Sequence, residues 1–408
     1  MQDGCRLEAL GIVNALGRGC ETVWRRVAAG DASALRRRDD LPRTRPMFVA
    51  SVDVDLPKIP AALADYDCRN NAFTLAALEE IETPVRDAIA AFGSERIAVV
   101  MGTSTSGSAE CEEAIARAGP AGALPKQFRY PQLELGGTAG FVAEWLGLGG
   151  PSLTLSTACS SSARAFATAR SLLRLGLCDA VVAGGSDSLC GLTMNGFASL
   201  QAISDRPCNP MSRNRSGLTL GEGAAVFLVT RARGGIQLAG VGESSEAHHM
   251  SAPDPDGAGA AASMRGALAD AGLTPSAIAY LNLHGTATQL NDAMESRAVA
   301  DVLGASVPCS STKSLVGHTL GAAGATELAF CWLALAHRRG RSLPLPPHVF
   351  DGERDPALAP IRLVDAPPPG GEARVDASAP AALMTNSFGF GGNNCTLVLR
   401  EDAAAGSA

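Results

Sequence analysis

Cys159 lies in Ser152-Leu-Thr-Leu-Ser-Thr-Ala-Cys-Ser-Ser-Ser-Ala-Arg-Ala-Phe-Ala-Thr-Ala-Arg, at the joint between an alternating apolar run and an alanine-rich run of helical spacing. A thiol in the first turn of a helix faces unpaired backbone N–H groups and the positive end of the helix dipole. Such surroundings bring a thiol from about 8.5 down to roughly 3.5–7.5, so the expectation is a thiolate nucleophile. The same residue read alone is also a small packing side chain, as free cysteines often are. Two histidines bear on the choice. His284 ends the apolar run Ala279-Tyr-Leu-Asn-Leu-His, where a side chain projects from the carboxyl edge of a sheet. His318 stands in Lys313-Ser-Leu-Val-Gly-His-Thr-Leu-Gly-Ala-Ala-Gly, at a glycine-flanked helix start. A lone histidine is commonly a packed core residue, but a cysteine and two histidines at element ends are worth more as a set than singly. The run Asn386-Ser-Phe-Gly-Phe-Gly-Gly-Asn-Asn is a glycine-rich turn between strands, either a tight hairpin or one that aims N–H groups into a site with Phe390 as an apolar gate.

These residues need a frame, and the chain is long enough to supply one. Its 408 residues, 46% hydrophobic and 18% charged, suit two or three domains or one large two-part α/β unit. A net charge of −7 argues against a general nucleic-acid binder. No run reaches the roughly 18 uninterrupted apolar residues of a membrane span, since Glu327 breaks Ala322 to Ala336. The opening residues lack the basic then apolar pattern of a signal peptide, so a cytoplasmic protein is expected. Eleven cysteines are scattered singly with no C-x-x-C, which predicts neither a zinc site nor disulfides.

Strand and helix signals alternate. Strands are predicted at Arg6–Leu16, Ile97–Gly102, Ser152–Leu155, Asp179–Asp187 and Gly221–Thr230, and again at Ile236–Gly242, Ile278–His284, Val307–Thr312, Ala381–Asn386 and Asn394–Leu399. Helices are predicted at Glu21–Ala29, Asn71–Phe92, after Tyr130-Pro-Gln to about Leu148, after Cys159, and at Ala260–Ala271, Asp292–Leu303 and Gly317–His337. Residues 35–45, charged and interrupted by proline, read as a solvated loop. The small-residue loop after Ile97–Gly102 fails the phosphate-loop pattern, because no Gly-Lys-Ser/Thr follows. This order predicts predominantly parallel, helix-covered sheets and two halves, 1–234 and 235–408, of one repeated βα plan.

Thr157-Ala-Cys159-Ser-Ser, His284-Gly-Thr-Ala-Thr, Lys313-Ser-Leu-Val-Gly-His318-Thr-Leu-Gly-Ala-Ala-Gly and Asn386-Ser-Phe-Gly-Phe-Gly-Gly, in that order, closely resemble the β-ketoacyl-acyl-carrier-protein synthases, the elongating condensing enzymes of the thiolase fold. The resemblance spans essentially the whole chain. It implies a five-layered αβαβα fold, with Cys159 in the first half and both histidines in the second. It implies that Cys159 takes an acyl chain from a carrier-protein thioester, with the N–H groups of Cys159 and Phe390 holding the oxyanion. His284 and His318 would polarise the thioester carbonyl of malonyl-carrier protein as carbon dioxide leaves. Lys313 and Glu327 would hold the histidines, Thr286 and Thr288 would bond the pantetheine arm, and Phe388 would line the substrate site. Arg69, Lys126 and Arg129 lie near where the family docks its acidic carrier protein. The substrates ride on phosphopantetheine, so no nucleotide, metal or redox cofactor is implied. A dimer through residues 152–156 is implied too, with an identical or a related partner.

Departures narrow the reading. Asn393 stands where the family has threonine, Arg213-Asn-Arg-Ser-Gly-Leu replaces the common Asp-Arg-Asp-Gly-Phe, and Thr105 occupies a place that is often bulky and apolar beside the acyl pocket. These features, with Pro207-Cys-Asn-Pro-Met-Ser-Arg, resemble the synthases of aryl-polyene clusters. The rivals are a thiolase-type acyltransferase, which would need a second active-site cysteine where this chain offers only Cys395, a Cys/His hydrolase, and a non-catalytic, chain-length-shaping partner subunit, which would lack the nucleophile.

Overall fold

The computed structural model describes residues 4–41, 44–118, 122–125, 128–368, 370–377 and 380–402. Ten strands carry the architecture: β1 (Arg6–Asn14), β2 (Ile97–Gly102), β3 (Ser152–Leu155), β4 (Ala180–Asp187), β5 (Gly223–Thr230), β6 (Gly235–Ser245), β7 (Ile278–Asn282), β8 (Pro308–Ser310), β9 (Ala382–Gly389) and β10 (Asn393–Asp402). Their spatial order is β3-β2-β4-β5-β1-β6-β10-β9-β7-β8, with Arg362–Leu363 beyond β8. The first five strands and the second five thus follow the same order outward from β1 and β6. Those two strands meet at a single register position, Arg6 with Gln237.

The helices that matter to the site are α1 (Arg69–Glu80), α2 (Ser161–Arg174), α3 (Gly191–Ser199), α4 (Ala258–Ala271), α5 (Gln289–Leu303) and α6 (Ala323–Ala336). Successive side chains of a strand point to opposite faces, and the core divides accordingly. Val181 and Ala183 of β4 join Phe166 and Ala169 of α2 and Leu328 and Phe330 of α6 in a central layer. Ala180 and Val182 pack the other way, against Phe73 and Leu78 of α1 and Phe141 and Val142. In the second half Leu397 and Leu399 of β10 enter the central layer, while Val398 packs outward with Met264 of α4 and Val299 of α5. The two halves of this sheet, joined only at Arg6 and Gln237, enclose α2 and α6 and are covered by outer helices, which makes the five-layered αβαβα fold. No helix of the described residues is long and apolar enough to cross a membrane.

Several elements differ from the sequence reading. The sheets are mixed: β2 runs parallel to β3 and β4, and β7 to β8 and β9, but β5 is antiparallel to β1 and β4, and β10 to β6 and β9. Hydrophobic alternation reports which face is buried and says nothing of strand direction. Asn71–Phe92 is two helices, α1 and Glu82–Phe92, because Pro84 lacks an N–H and crowds the carbonyl four residues back, so the first helix stops at Glu80. The helix expected after Tyr130-Pro-Gln is Gly137–Leu146, and a separate single turn, Tyr130–Leu133, precedes it. Residues 36–38 form a short strand on Met47–Ala50, which pairs with Leu220–Gly221, although Arg36 and Arg37 still face solvent.

The strand β3 closes one end of the sheet. It pairs with β2 on one side only, and Leu153 on it is 42% exposed.

The central helices touch at Gly324 and Ala163. A Cβ at Gly324 would stand 2.6 Å from the Ala163 nitrogen and 2.8 Å from its Cβ. Backbone cannot yield cheaply there, so Gly324→Ala is expected to lower stability by about 1–3 kcal/mol, read as a lower urea midpoint at unchanged slope. Gly196→Ala, in open space on α3, is the control and is expected to be neutral or stabilising.

Candidate active site

The turn that carries Cys159 is knitted by its own serines. The Thr157 N–H donates to Ser161 Oγ at 2.9 Å, Ser160 Oγ donates to the Thr157 carbonyl at 2.8 Å, and Ser161 Oγ donates to the Ala158 carbonyl at 2.6 Å. Ser162 Oγ accepts the Ala325 N–H at 2.9 Å, which ties the start of α2 to the start of α6. Ala158 takes a φ of 53°, a left-handed conformation costly for a residue with a side chain. That bend turns Cys159 out of the strand direction just before the helix begins.

Each histidine is held through its backbone. The N–H groups of His284 and Gly285 donate to the two oxygens of Glu295, at 2.7 and 2.6 Å, from just beyond the end of β7. The His318 N–H donates to the Thr219 carbonyl at 2.7 Å, and its own carbonyl accepts the Gly221 N–H. These supports bring the three side chains together. His318 Nε2 lies 3.0 Å from Cys159 Sγ, and the two imidazole rings stand edge to face with centroids 5.4 Å apart. Lys313 Nζ reaches His284 Nδ1 at 3.5 Å and forms a close ion pair with Glu327. Cys159, His284, His318, Lys313 and Glu327 are all at most 5% exposed.

Burial sets the protonation states, and it corrects the expectation of a thiolate. The helix begins at Ser161, two residues past Cys159, and burial pushes the Cys159 thiol up to about 11. The Lys313 charge and the N–H groups of Phe390 and Cys159, which face the sulfur, pull the other way without prevailing. Burial, reinforced by Lys313, holds both His284 and His318 well below the usual histidine range. The resting pair is therefore a neutral thiol against a neutral imidazole. Among the described residues His318 Nδ1 is buried without a hydrogen-bond partner, so none of them fixes through it which ring nitrogen carries the proton. The ring is free to accept a proton at Nε2 at one stage and to donate from it at another.

These groups form the floor of a cavity of about 330 Å³. Phe388 and Phe390 line it, and the Phe390 ring packs against Phe197 of α3 at 5.4 Å. Gly391 and Gly392, at φ of 79° and 77°, make the turn that carries this gate. Thr286 and Thr288 lie on the wall with their hydroxyls 2.9 Å apart. Asn394 lines the cavity too, its side-chain amide donating to Glu246 at 2.7 Å. Cys395 is buried within β10 and is not on this wall, so it offers no second thiol.

Other predicted positions fall elsewhere. Thr105 is not on the wall of the cavity at Cys159. Its hydroxyl and N–H donate to Asp187 at 2.7 and 2.8 Å, because a buried carboxylate takes every nearby donor. Arg69 is committed to Glu222, whose carboxylate is buried, and its guanidinium lies over Phe73. Arg129 pairs with Asp65 at 3.1 Å, and Lys126 lies outside the described residues. The sequence reading missed Glu295 and Asp187. Glu295, pushed up to about 7 by burial, occupies an apolar-periodic position on α5, and a carboxylate there is the available signal.

The fold and this floor of one cysteine and two histidines define a condensing enzyme, and comparison with known proteins agrees. Residues 66–234 match the family described as Beta-ketoacyl synthase, N-terminal domain, and residues 236–342 match Beta-ketoacyl synthase, C-terminal domain. The chain belongs to the β-ketoacyl synthase family. It is 30% identical to 3-oxoacyl-(acyl-carrier-protein) synthase 2 of Coxiella burnetii, over 96% of this chain and 97% of that one. The corresponding synthase of Vibrio cholerae is 31% identical over the same shares. Among solved structures, the ketosynthase ApeO in complex with its chain length factor ApeC, from Xenorhabdus doucetiae, includes a chain 42% identical with a TM-score of 0.90, over 98% of both chains. A beta-ketoacyl synthase from Burkholderia phymatum is 29% identical with a TM-score of 0.85, over 98% of this chain and all of that one. The protein is an elongating ketosynthase of the acyltransferase class.

Reactivity of the thiol tests the electrostatics. Alkylation of Cys159 by iodoacetamide, followed by intact mass, is expected to quicken roughly tenfold per pH unit from pH 7 towards 10, since the thiolate fraction rises without saturating below about 11. In Lys313→Met a cation that favours the thiolate is gone and Glu327 is left unpaired. The thiol rises further, and alkylation at a given pH is expected to fall by about an order of magnitude.

Proposed function

We propose that Cys159 carries the growing acyl chain and that the protein extends it by two carbons through decarboxylative condensation with malonyl-carrier protein. The observation that supports this best is the 3.0 Å contact of Cys159 Sγ with His318 Nε2, beside His284 at the floor of a cavity that reaches the surface. In the first half-reaction the thiol proton passes to His318 Nε2 as sulfur attacks the acyl thioester carbon. The N–H groups of Cys159 and Phe390 hold the oxyanion, each a fixed donor worth roughly 3–4 kcal/mol. Collapse expels the pantetheine thiolate, which takes the proton back from His318.

In the second half-reaction His284 and His318 donate to the thioester oxygen of malonyl-carrier protein. The bond to the carboxylate breaks, carbon dioxide leaves, and its electron pair forms the enolate. The enolate carbon attacks the acyl-Cys159 carbonyl, the carbon–sulfur bond breaks, and the sulfur takes up one proton from solvent as the β-ketoacyl product departs. Loss of carbon dioxide drives the step, so the proposed reaction uses no nucleotide, metal or redox group. Thr286 and Thr288 bond the pantetheine arm on the wall of its channel. Lys313, paired with Glu327, keeps His284 neutral and able to donate.

The proposed partners are an acyl carrier protein and a second ketosynthase-like subunit added at the free edge of β3. The likeness to a chain solved with a chain length factor favours a related partner over an identical one. The same likeness, with the stretch from Pro207 to Arg215, supports a polyene-type chain. A cytoplasmic setting suits the free cysteines.

Wild type exposed to acyl-carrier proteins is expected to gain one acyl mass, absent in Cys159→Ala, and to discharge it as a longer β-ketoacyl product once malonyl-carrier protein is added. An adduct that persists in Cys159→Ala would remove the cysteine from the role of nucleophile and favour a partner-subunit function. By native mass spectrometry, the chain co-expressed with a chain-length-factor-type subunit is expected as a one-to-one complex. A stable pair of identical chains that rejects the related subunit would overturn the heterodimer.

A further inference from the structure

The floor of the cavity has a second chemistry that condensation does not use. Cys159 Sγ and one ring nitrogen each of His284 and His318 lie within 4.8 Å of one another, the closest pair at 3.0 Å. Around a tetrahedral zinc ion, with Zn–S near 2.3 Å and Zn–N near 2.0–2.1 Å, donor atoms stand roughly 3.3–3.6 Å apart. Shifts of about an ångström would bring the three into that arrangement, and the cavity leaves the fourth position open to water. Three protein ligands and one open position are the pattern of zinc sites that exchange a ligand.

The surroundings favour an ion at this place. His284 turns Nδ1 towards Lys313, which leaves Nε2 as its donor. His318 offers Nε2 to the sulfur, and its Nδ1 is buried without a partner. The Lys313 charge would repel a cation, but Glu327 is bonded to it and offsets it. Cys–His–His is also a soft donor set, which selects zinc-type ions over magnesium or calcium.

We propose that a zinc-type divalent cation binds Cys159, His284 and His318 of the free enzyme and competes with acyl transfer, a reversible block on the nucleophile. On binding, the S–H bond breaks, a sulfur–metal bond forms and the proton leaves to solvent; no atom is oxidised or reduced. Acylation occupies the same sulfur, so acyl chain and ion exclude each other.

Cobalt(II), added to the chelator-treated full chain, is the probe. One equivalent is expected to bind with a sulfur-to-metal charge-transfer band, to be displaced by zinc, and to be lost in Cys159→Ala and in wild type alkylated once at Cys159. His284→Ala is expected to weaken zinc binding by about 100-fold. Acylation followed by intact mass is expected to slow in zinc and to recover on chelation. Absence of the band, a band that survives in Cys159→Ala, or equal cobalt affinity in the alkylated protein would overturn the site. Acylation in chelator is measured separately, so failure of the metal site leaves the condensation reading standing, and failure of acylation leaves the cobalt spectrum readable.

Discussion

The backbone contact of Ala163 with Gly324 fixes the distance on which the chemistry depends. The nucleophile turn precedes α2 and the His318 turn precedes α6, and these two helices fill the layer between the sheets. Because the helices approach without intervening side chains at that point, the loops that enter them converge. The hydrogen bond from the Ala325 N–H to Ser162 locks the convergence. Two residues 159 positions apart in sequence are thereby held at 3.0 Å. The duplicated strand order thus does more than enlarge the core, for each half supplies one side of a reaction centre that neither half contains.

Electrostatics then follow from burial. A lone charge at this depth would be costly, and the Lys313 cation beside the site is paired with the Glu327 carboxylate. Around that pair burial keeps the thiol and both imidazoles neutral, with sulfur and ring nitrogen one hydrogen bond apart. The price of this arrangement is a sluggish free thiol. Its benefit is a thiol shielded from stray electrophiles.

The parts of this site that motifs encode were legible in sequence. Cys159, His284, His318, Lys313 and Glu327 sit in short strings whose residue types are diagnostic, and the structure gathers them. What depends on partners distant in sequence was not legible. Arg69 looks free until Glu222 is placed against it, Thr105 looks like a pocket wall until Asp187 takes its hydroxyl, and the Cys159 thiol looks activated until its burial is known. Local rules misled where one residue outweighed a pattern, as Pro84 does within a long helical period. The layers were legible because apolar runs recur in order, but strand direction was not, since parallel and antiparallel strands bury the same residues.

The free edge of β3 has a further consequence. The strand that ends the sheet is the one that runs into Cys159, so an unpaired backbone edge is joined by three residues of turn to the buried thiol. A strand added there would press on the nucleophile turn from outside. Divergence between two copies of such a gene would therefore alter the reaction centre of one through the surface of the other, with its own motif unchanged. Heredity acting on a neighbour would be enough to retune this enzyme.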